Sequence, residues 1–133
     1  MKDEERVVIR TESDIVTARR QGREVAARVG FASIDRALIA TAISELARNI
    51  VLYAGRGEIS LGPIEDGSRR GIAVVARDQG PGISRVEEAM RDGFSTSGGL
   101  GLGLPGVRRL MDEIAISTRV GKGTVVTAKK WLR

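Results

Sequence analysis

The chain has 133 residues, 41% hydrophobic and 29% charged, with a formal net charge of +5; these values fit one globular domain with its own core and exclude a disordered tail or a collagen-like fibre. Cysteine and histidine are both absent, which removes disulfides, thiolate or imidazole metal sites, Ser-His-Asp triads and phosphohistidine chemistry, and leaves carboxylates, amides and backbone groups to carry any reaction. Arginine outnumbers lysine 18 to 4 along the whole chain, and the aromatic residues are Phe31, Tyr53, Phe94 and Trp131, too few for a base-stacking platform, so the positive charge is not read as a nucleic-acid surface.

Arg6 to Arg10 is short and β-branched, a first strand, and Ser13 is a plausible N-cap for a helix running to about Val29, with Gly30 as its stop. A second, more apolar helix is expected from Ser33 to about Tyr53, ended by Gly55 and Gly57. Met1 to Arg6 is charged with no apolar stretch behind it, and the apolar run Ala37 to Ala54 carries Glu45, Arg48 and Asn49; the expectation is a cytoplasmic chain with no membrane span.

Glu58 to Ile64 and Gly71 to Arg77 read as an antiparallel hairpin joined by the charged tip Glu65-Asp66-Gly67-Ser68. Ser84 caps a short helix to about Asp92, Gly93 to Gly103 reads as a mobile loop, and Leu104 to Asp112 resumes helical spacing. Ile114 to Thr118 and Thr124 to Ala128 flank the turn Gly121-Lys122-Gly123, a second hairpin. The order β-α-α-β-β-α-loop-α-β-β predicts a two-layer α/β sandwich with a mixed, mostly antiparallel sheet, one domain over residues 1–133.

Three stretches can carry chemistry. Glu45 and Asn49 stand one turn apart on the second helix, so a carboxylate and a carboxamide project together; the pair suits an oxygen-loving cation and a hydroxyl, and equally an ordinary solvated helix face. Asp78-Gln79-Gly80-Pro81-Gly82 leaves a strand and turns sharply. An aspartate there can accept from an exocyclic amine of a planar ring that the glycines leave room for; the alternative is a plain strand-ending turn. Ser95 to Leu104 is a glycine-rich loop entering a helix, whose backbone amides and positive helix end make a seat for phosphate oxygens. Gly101-x-Gly103-x-x-Gly106 is no dinucleotide fingerprint, because no strand precedes it and Pro105 interrupts it, and Gly121-Lys122-Gly123 lacks the upstream glycine of a Walker A loop.

In order and spacing, Glu45 to Asn49, Asp78 to Gly82 and Gly99 to Leu104 resemble the N, G1 and G2 boxes of the ATP-binding superfamily of gyrase, heat-shock protein 90, histidine kinases and MutL. Glu45-Leu46-Ala47-Arg48-Asn49-Ile50, the run Gly93 to Gly106 and Gly121-Lys122-Gly123-Thr124 are similar to its small stand-alone serine/threonine kinase branch, the RsbT-type switch kinases of stressosomes. The sibling anti-sigma kinases carry a histidine shortly after the N-box asparagine, where this chain reads Ile50-Val51-Leu52-Tyr53-Ala54.

The resemblance implies ATP and Mg²⁺ as cofactors, with Asn49 on the metal, Asp78 on the adenine amine, and Glu45 as the base that orients or deprotonates the substrate hydroxyl. By the same resemblance Gly80 and Gly82 line the adenine pocket and Thr124 lies near the base. Gly99, Leu100, Gly101, Leu102, Gly103 and Leu104 wrap the phosphates, Ser95 to Gly98 form a lid, and Arg48 is a phosphate or partner contact or a surface arginine. The implied protein substrates are STAS-domain proteins of a stressosome scaffold, and the implied second partner is a PP2C-type phosphatase or another output protein. A nucleotide-dependent binding module of anti-sigma-factor type is the alternative, and Arg6 to Val29 leaves the oligomeric state open.

Overall fold

A computed structural model describes residues 3–80 and 103–133 of the chain. Among these, strands β1 (Glu5–Ile9), β2 (Gly57–Asp66), β3 (Arg69–Asp78), β4 (Glu113–Arg119) and β5 (Gly123–Trp131) form one sheet in the order β1-β2-β3-β5-β4. Helices α1 (Glu12–Val29), α2 (Ser33–Asn49) and α3 (Gly103–Leu110) make the second layer.

All four strand pairings are antiparallel, in a sheet expected to be mixed but mostly antiparallel. The reason is topological. β3 and β4 do point the same way, but β5 folds back from the β4 hairpin into the slot between them, so the two never pair directly. The first hairpin is tighter than its sequence suggested: Asp66 pairs with Arg69, leaving the two-residue turn Gly67-Ser68. Gly67 has φ 61° and Ser68 does not share its positive φ, the combination in which glycine leads a tight hairpin turn.

Alternation along the strands places Val7 and Ile9, Ile59 and Leu61, Ile72 and Val74, and Val126 and Ala128 on one face, buried in the apolar core. Ile15, Val25 and Val29 of α1, Ile39, Ile43 and Leu46 of α2, and Val107 of α3 complete that core. Each fully buried Ile or Leu contributes about 1.5–3 kcal/mol. Ser33–Ala54 is long and apolar enough to cross a membrane, yet Ile39, Ile43, Leu46 and Ile50 are buried between the other helices and the sheet, which is the packing of a core helix.

Two helix ends differ from expectation. α1 is capped at Thr11 rather than Ser13, because Asp14 reaches back and its Oδ2 accepts from the backbone N–H of Arg10 (2.9 Å) and Thr11 (3.0 Å). Those two donors hold the Asp14 carboxyl below its ordinary pKa. α2 keeps its α-helical winding only to Asn49 and then widens into a π-helical turn, Ile50–Ala54, closed by the Gly55 N–H donating to the Ile50 carbonyl at 2.8 Å.

Candidate functional site

The register of the sheet builds one wall of the site. Asp78 lies opposite Gly57 on β2 and Thr124 on β5, and Thr124 lies opposite Thr118 on β4. Directly paired residues share a face, so Gly57, Asp78, Thr124 and Thr118 form a row across the helix side of the sheet. The preceding row on that side is Ile59, Ala76, Val126 and Ile116. One two-residue step therefore takes this face from apolar to polar at the edge of the core.

Glycines let the neighbouring chain close onto that row. A Cβ on Gly57 would come within 2.9 Å of Ile50 Cγ2 and 3.2 Å of Asp78 Cβ, and one on Gly80 within 2.7 Å of Ala54 Cβ. The π turn that follows Asn49 thus rests on the end of β3, and a side chain at either glycine would push it away. Gly123 (φ 124°) packs against β3 at the same level, where an added Cβ would meet the Asp78 carbonyl oxygen at 2.2 Å.

The Asp78 carboxylate is held by its own turn: Oδ1 accepts the Gly80 N–H at 2.9 Å, and among the described residues no donor is bonded to Oδ2. Thr124 is buried, and its hydroxyl is 3.1 Å from that of Thr118. The half-buried carboxylate and the buried hydroxyl set hydrogen-bond acceptors side by side in a recess at the end of β3, suited to the amine-bearing edge of a flat ring.

Glu45 and Asn49 project from the C-terminal half of α2. The solvated-face alternative does not hold for Glu45: the residue is 7% exposed, and its Oε1 accepts from Arg48 Nη1 at 2.9 Å. Asn49 is half-buried at the last α-helical position, directly before the turn that meets Gly57 and Gly80. Glu45 stands one turn, about 6 Å of helix axis, further back. Among the described residues no group of three or more acidic or other ligating side chains could hold a metal unaided. A divalent cation at Asn49 would take most of its oxygens from phosphate and water, which is the manner in which Mg²⁺ is ordinarily held.

The expected phosphate-wrapping segment enters the described residues only at Gly103 and Leu104, the first turn of α3. The Leu104 side chain is buried in the apolar core, so its backbone alone can face a ligand. Gly82, Gly99, Leu100, Gly101 and Leu102, the lid Ser95 to Gly98 and the short helix Ser84 to Asp92 lie outside the described residues. The structure brings Asp78, Gly80 and Thr124 together and sets the Asn49 turn against them. Gly57, Gly123 and Thr118 were missed from sequence; the one available signal was that each sits at a strand end beside a turn glycine or a predicted site residue.

The sequence matches the histidine kinase-like ATPase domain family over residues 9–130, and the chain belongs to that family. It is 56% identical over 133 residues, the full length of both chains, to the serine/threonine-protein kinase RsbT of Bacillus subtilis (strain 168). It is 34% identical over 100 residues to an anti-sigma F factor of Geobacillus stearothermophilus, covering 69% of this chain and 66% of that one. The fold superposes on the RsbU and RsbW domains of Rv1364c from Mycobacterium tuberculosis with a TM-score of 0.63 and 23% identity, over 97% of this chain and 32% of that one. The catalytic domain of the histidine kinase ThkA gives 0.56 and 19%, over 95% of each chain. Within its family the chain is a protein serine/threonine kinase, and membership of an ATPase family implies an ATP site.

Proposed function

We propose that this single-domain, cytoplasmic kinase uses ATP and Mg²⁺ to phosphorylate STAS-domain proteins of a stressosome scaffold on serine or threonine, and that after release from the scaffold it activates a PP2C-type phosphatase or another output protein. The observation that carries the reading is the full-length 56% identity to RsbT. The recess at the end of β3 supports it, because acceptors at Asp78 and Thr124 match the exocyclic amine of adenine.

In this reading Asp78 takes the amine, Thr124 lies beside it, and Gly80 and Gly82 would line the adenine pocket. The backbone of Gly99 to Leu104 would wrap the phosphates, and Asn49 would hold Mg²⁺. When bound, the metal would neutralise charge on the phosphates. Glu45 orients the substrate hydroxyl and takes its proton as the oxygen–phosphorus bond forms and the bond to the β-phosphate bridge breaks; the products are phosphoprotein and ADP.

The anti-sigma F factor matches favour a second reading, a nucleotide-dependent binding module that sequesters or activates its partner. Incubating the chain with Mg²⁺, γ-labelled ATP and isolated STAS domains separates the two. Labelled phosphoserine or phosphothreonine on the STAS domain, lost with Asp78→Asn together with ATP binding, is the expected result. Stoichiometric complex formation without label transfer would favour the binding module, and transfer undiminished by Asp78→Asn would overturn the pocket assignment.

A further inference from the structure

We propose that an uncharged stripe on the N-terminal half of α2, formed by Ile34, Ala37, Leu38 and Thr41, is the surface on which the protein substrate docks. Its acceptor serine or threonine then arrives at Glu45 from the side away from the nucleotide. The proposal rests on the substrate reading above and adds to it the chemistry by which that substrate is recognised.

Helical phase draws the stripe. On α2 residues three and four apart share a face, so Ile34, Leu38, Thr41 and Glu45 follow one another along one line, with Ala37 beside it. The opposite line, Ile39, Ile43 and Leu46, is buried in the core. Ile34 is 74% exposed, Ala37 and Thr41 are exposed, and Leu38 is half-buried. Glu45, on the same line, is 7% exposed. The stripe therefore begins at the surface and ends at the buried carboxylate. At the rise of an α-helix, Ile34 stands about 16 Å and Thr41 about 6 Å of helix axis from Glu45.

The rest of the site fixes the direction of approach. Asn49 and the π turn Ile50–Ala54, which meets Gly57 and Gly80 beside Asp78, all follow Glu45 on its C-terminal side, the side assigned to the nucleotide. A hydroxyl brought to Glu45 then has the body of its protein on the N-terminal side, over Thr41, Leu38 and Ile34. Small side chains at Ala37 and Thr41 allow a close approach, and Ile34 offers an apolar knob. No charged side chain lies on the line between Ile34 and Thr41; Asp35 and Arg36 are off it, and Arg36 donates to the Phe31 carbonyl at 3.0 Å. The matching surface is thus an aliphatic patch about 6–16 Å from the acceptor hydroxyl. Ile34 does not serve the helix itself: the N-cap Ala32 makes no side-chain bond, and a first turn gains from acidic residues rather than isoleucine. A stripe this short gives a small interface, as suits a complex that dissociates after each transfer.

The test is steady-state phosphotransfer from ATP to an isolated STAS domain, with KM for that domain and kcat read separately, beside ATP calorimetry and a thermal melt. Ile34→Glu puts charge on the stripe while suiting the first helical turn, so the fold persists. It is expected to raise KM for the STAS domain about tenfold, with kcat and ATP affinity changed less than about twofold. Ala37→Glu should do the same, and Ile34→Val should keep the wild-type KM. Val16→Glu, at a 46% exposed position of α1 away from the stripe, should leave KM unmoved. An unchanged KM in both stripe variants, or an equal rise with Val16→Glu, overturns the proposal. So does a wild-type dimer that Ile34→Glu splits in sedimentation, because the stripe then belongs to a second copy of the chain. A wild-type chain that labels no STAS domain refutes the substrate reading and the occupant named here together, whereas labelling with an unmoved KM refutes the stripe alone.

Discussion

Glu45→Gln separates catalysis from architecture. Glutamine keeps the length of the side chain and an oxygen that can still accept from Arg48, so the change removes the charge and the proton affinity of the carboxylate. The stability cost follows from the exposure of the pair: the Glu45 side chain is 10% exposed but that of Arg48 is 43%, so water screens the contact and its worth stays under about 1 kcal/mol. That is a fall of only a few degrees in melting temperature for a domain of this size, on the order of 3–6 °C at most. The rate cost is much larger if Glu45 takes the substrate proton. A general base contributes about 10²–10⁴-fold, or roughly 2.7–5.5 kcal/mol of barrier. ATP affinity should change less than twofold, about 0.4 kcal/mol, because Glu45 stands a full turn behind the segment that meets Gly57 and Gly80. Single-turnover phosphotransfer at saturating ATP, a thermal melt and nucleotide calorimetry on the same preparation read all three numbers. Unchanged turnover would return Glu45 to a structural role, and a melting point that collapsed along with the rate would refute the separation argued here.

Gly123→Ala tests the wall of the recess. Its Cβ would sit 2.2 Å from the Asp78 carbonyl oxygen at φ 124°; backbone strain of about 1–3 kcal/mol and overpacking of similar size sum to roughly 2–6 kcal/mol. A lower melting temperature with weakened ATP binding is expected, and a variant matching wild type in both would show that β3 and β5 tolerate separation there. Asp14→Asn tests the cap of α1. The folded-state pKa of Asp14 is lowered by the Arg10 and Thr11 N–H donors, so its carboxylate stabilises the fold above the ordinary aspartate pKa of about 3.9 and that increment is lost as pH falls through the lower, folded value. Wild type should melt above the variant at pH 7, and the gap should close in strong acid; an equal gap at both pH values would refute the linkage.

Much of this architecture is legible in residue patterns because the sheet buries one face. Alternation in Val7 and Ile9 or in Val126 and Ala128 marks strand and facing at once, whereas Gly71 to Ala76 of β3 is buried on both faces and marks a strand without its facing. Asp78 and the glycines behind it are readable for the same reason, since they end such a run. Glu45 is different. α2 lies between the sheet, α1 and α3, and is buried almost all round over Ile39 to Ala47, so no polar face contrasts with the core and the burial of Glu45 is a tertiary outcome. The π turn is equally silent: nothing in Ile50-Val51-Leu52-Tyr53 demands a wider winding, and its form suits the approach to Gly57 and Gly80. At the start of α1, Thr11, Ser13 and Asp14 all have capping chemistry, and only the reach of Asp14 back to Arg10 and Thr11 decides among them.

The recess is a consequence of register, which ties it to the far end of the hairpin. In β3 the residues beside Asp78 and Ala76 on the opposite face are Arg77 and Val75, and in β5 the neighbours of Thr124 and Val126 are Val125 and Thr127. A one-residue slip of β3 would put the Arg77 guanidinium where the Asp78 carboxylate stands and turn the acceptor set into a donor set. What prevents the slip is the two-residue turn at Gly67-Ser68, some ten residues away along β3; burial discriminates less here, because Ala73 and Val75 on the opposite face are buried as well. The hairpin turn therefore does more than join two strands: by fixing the pairing it determines which chemistry appears where the core gives way to the recess.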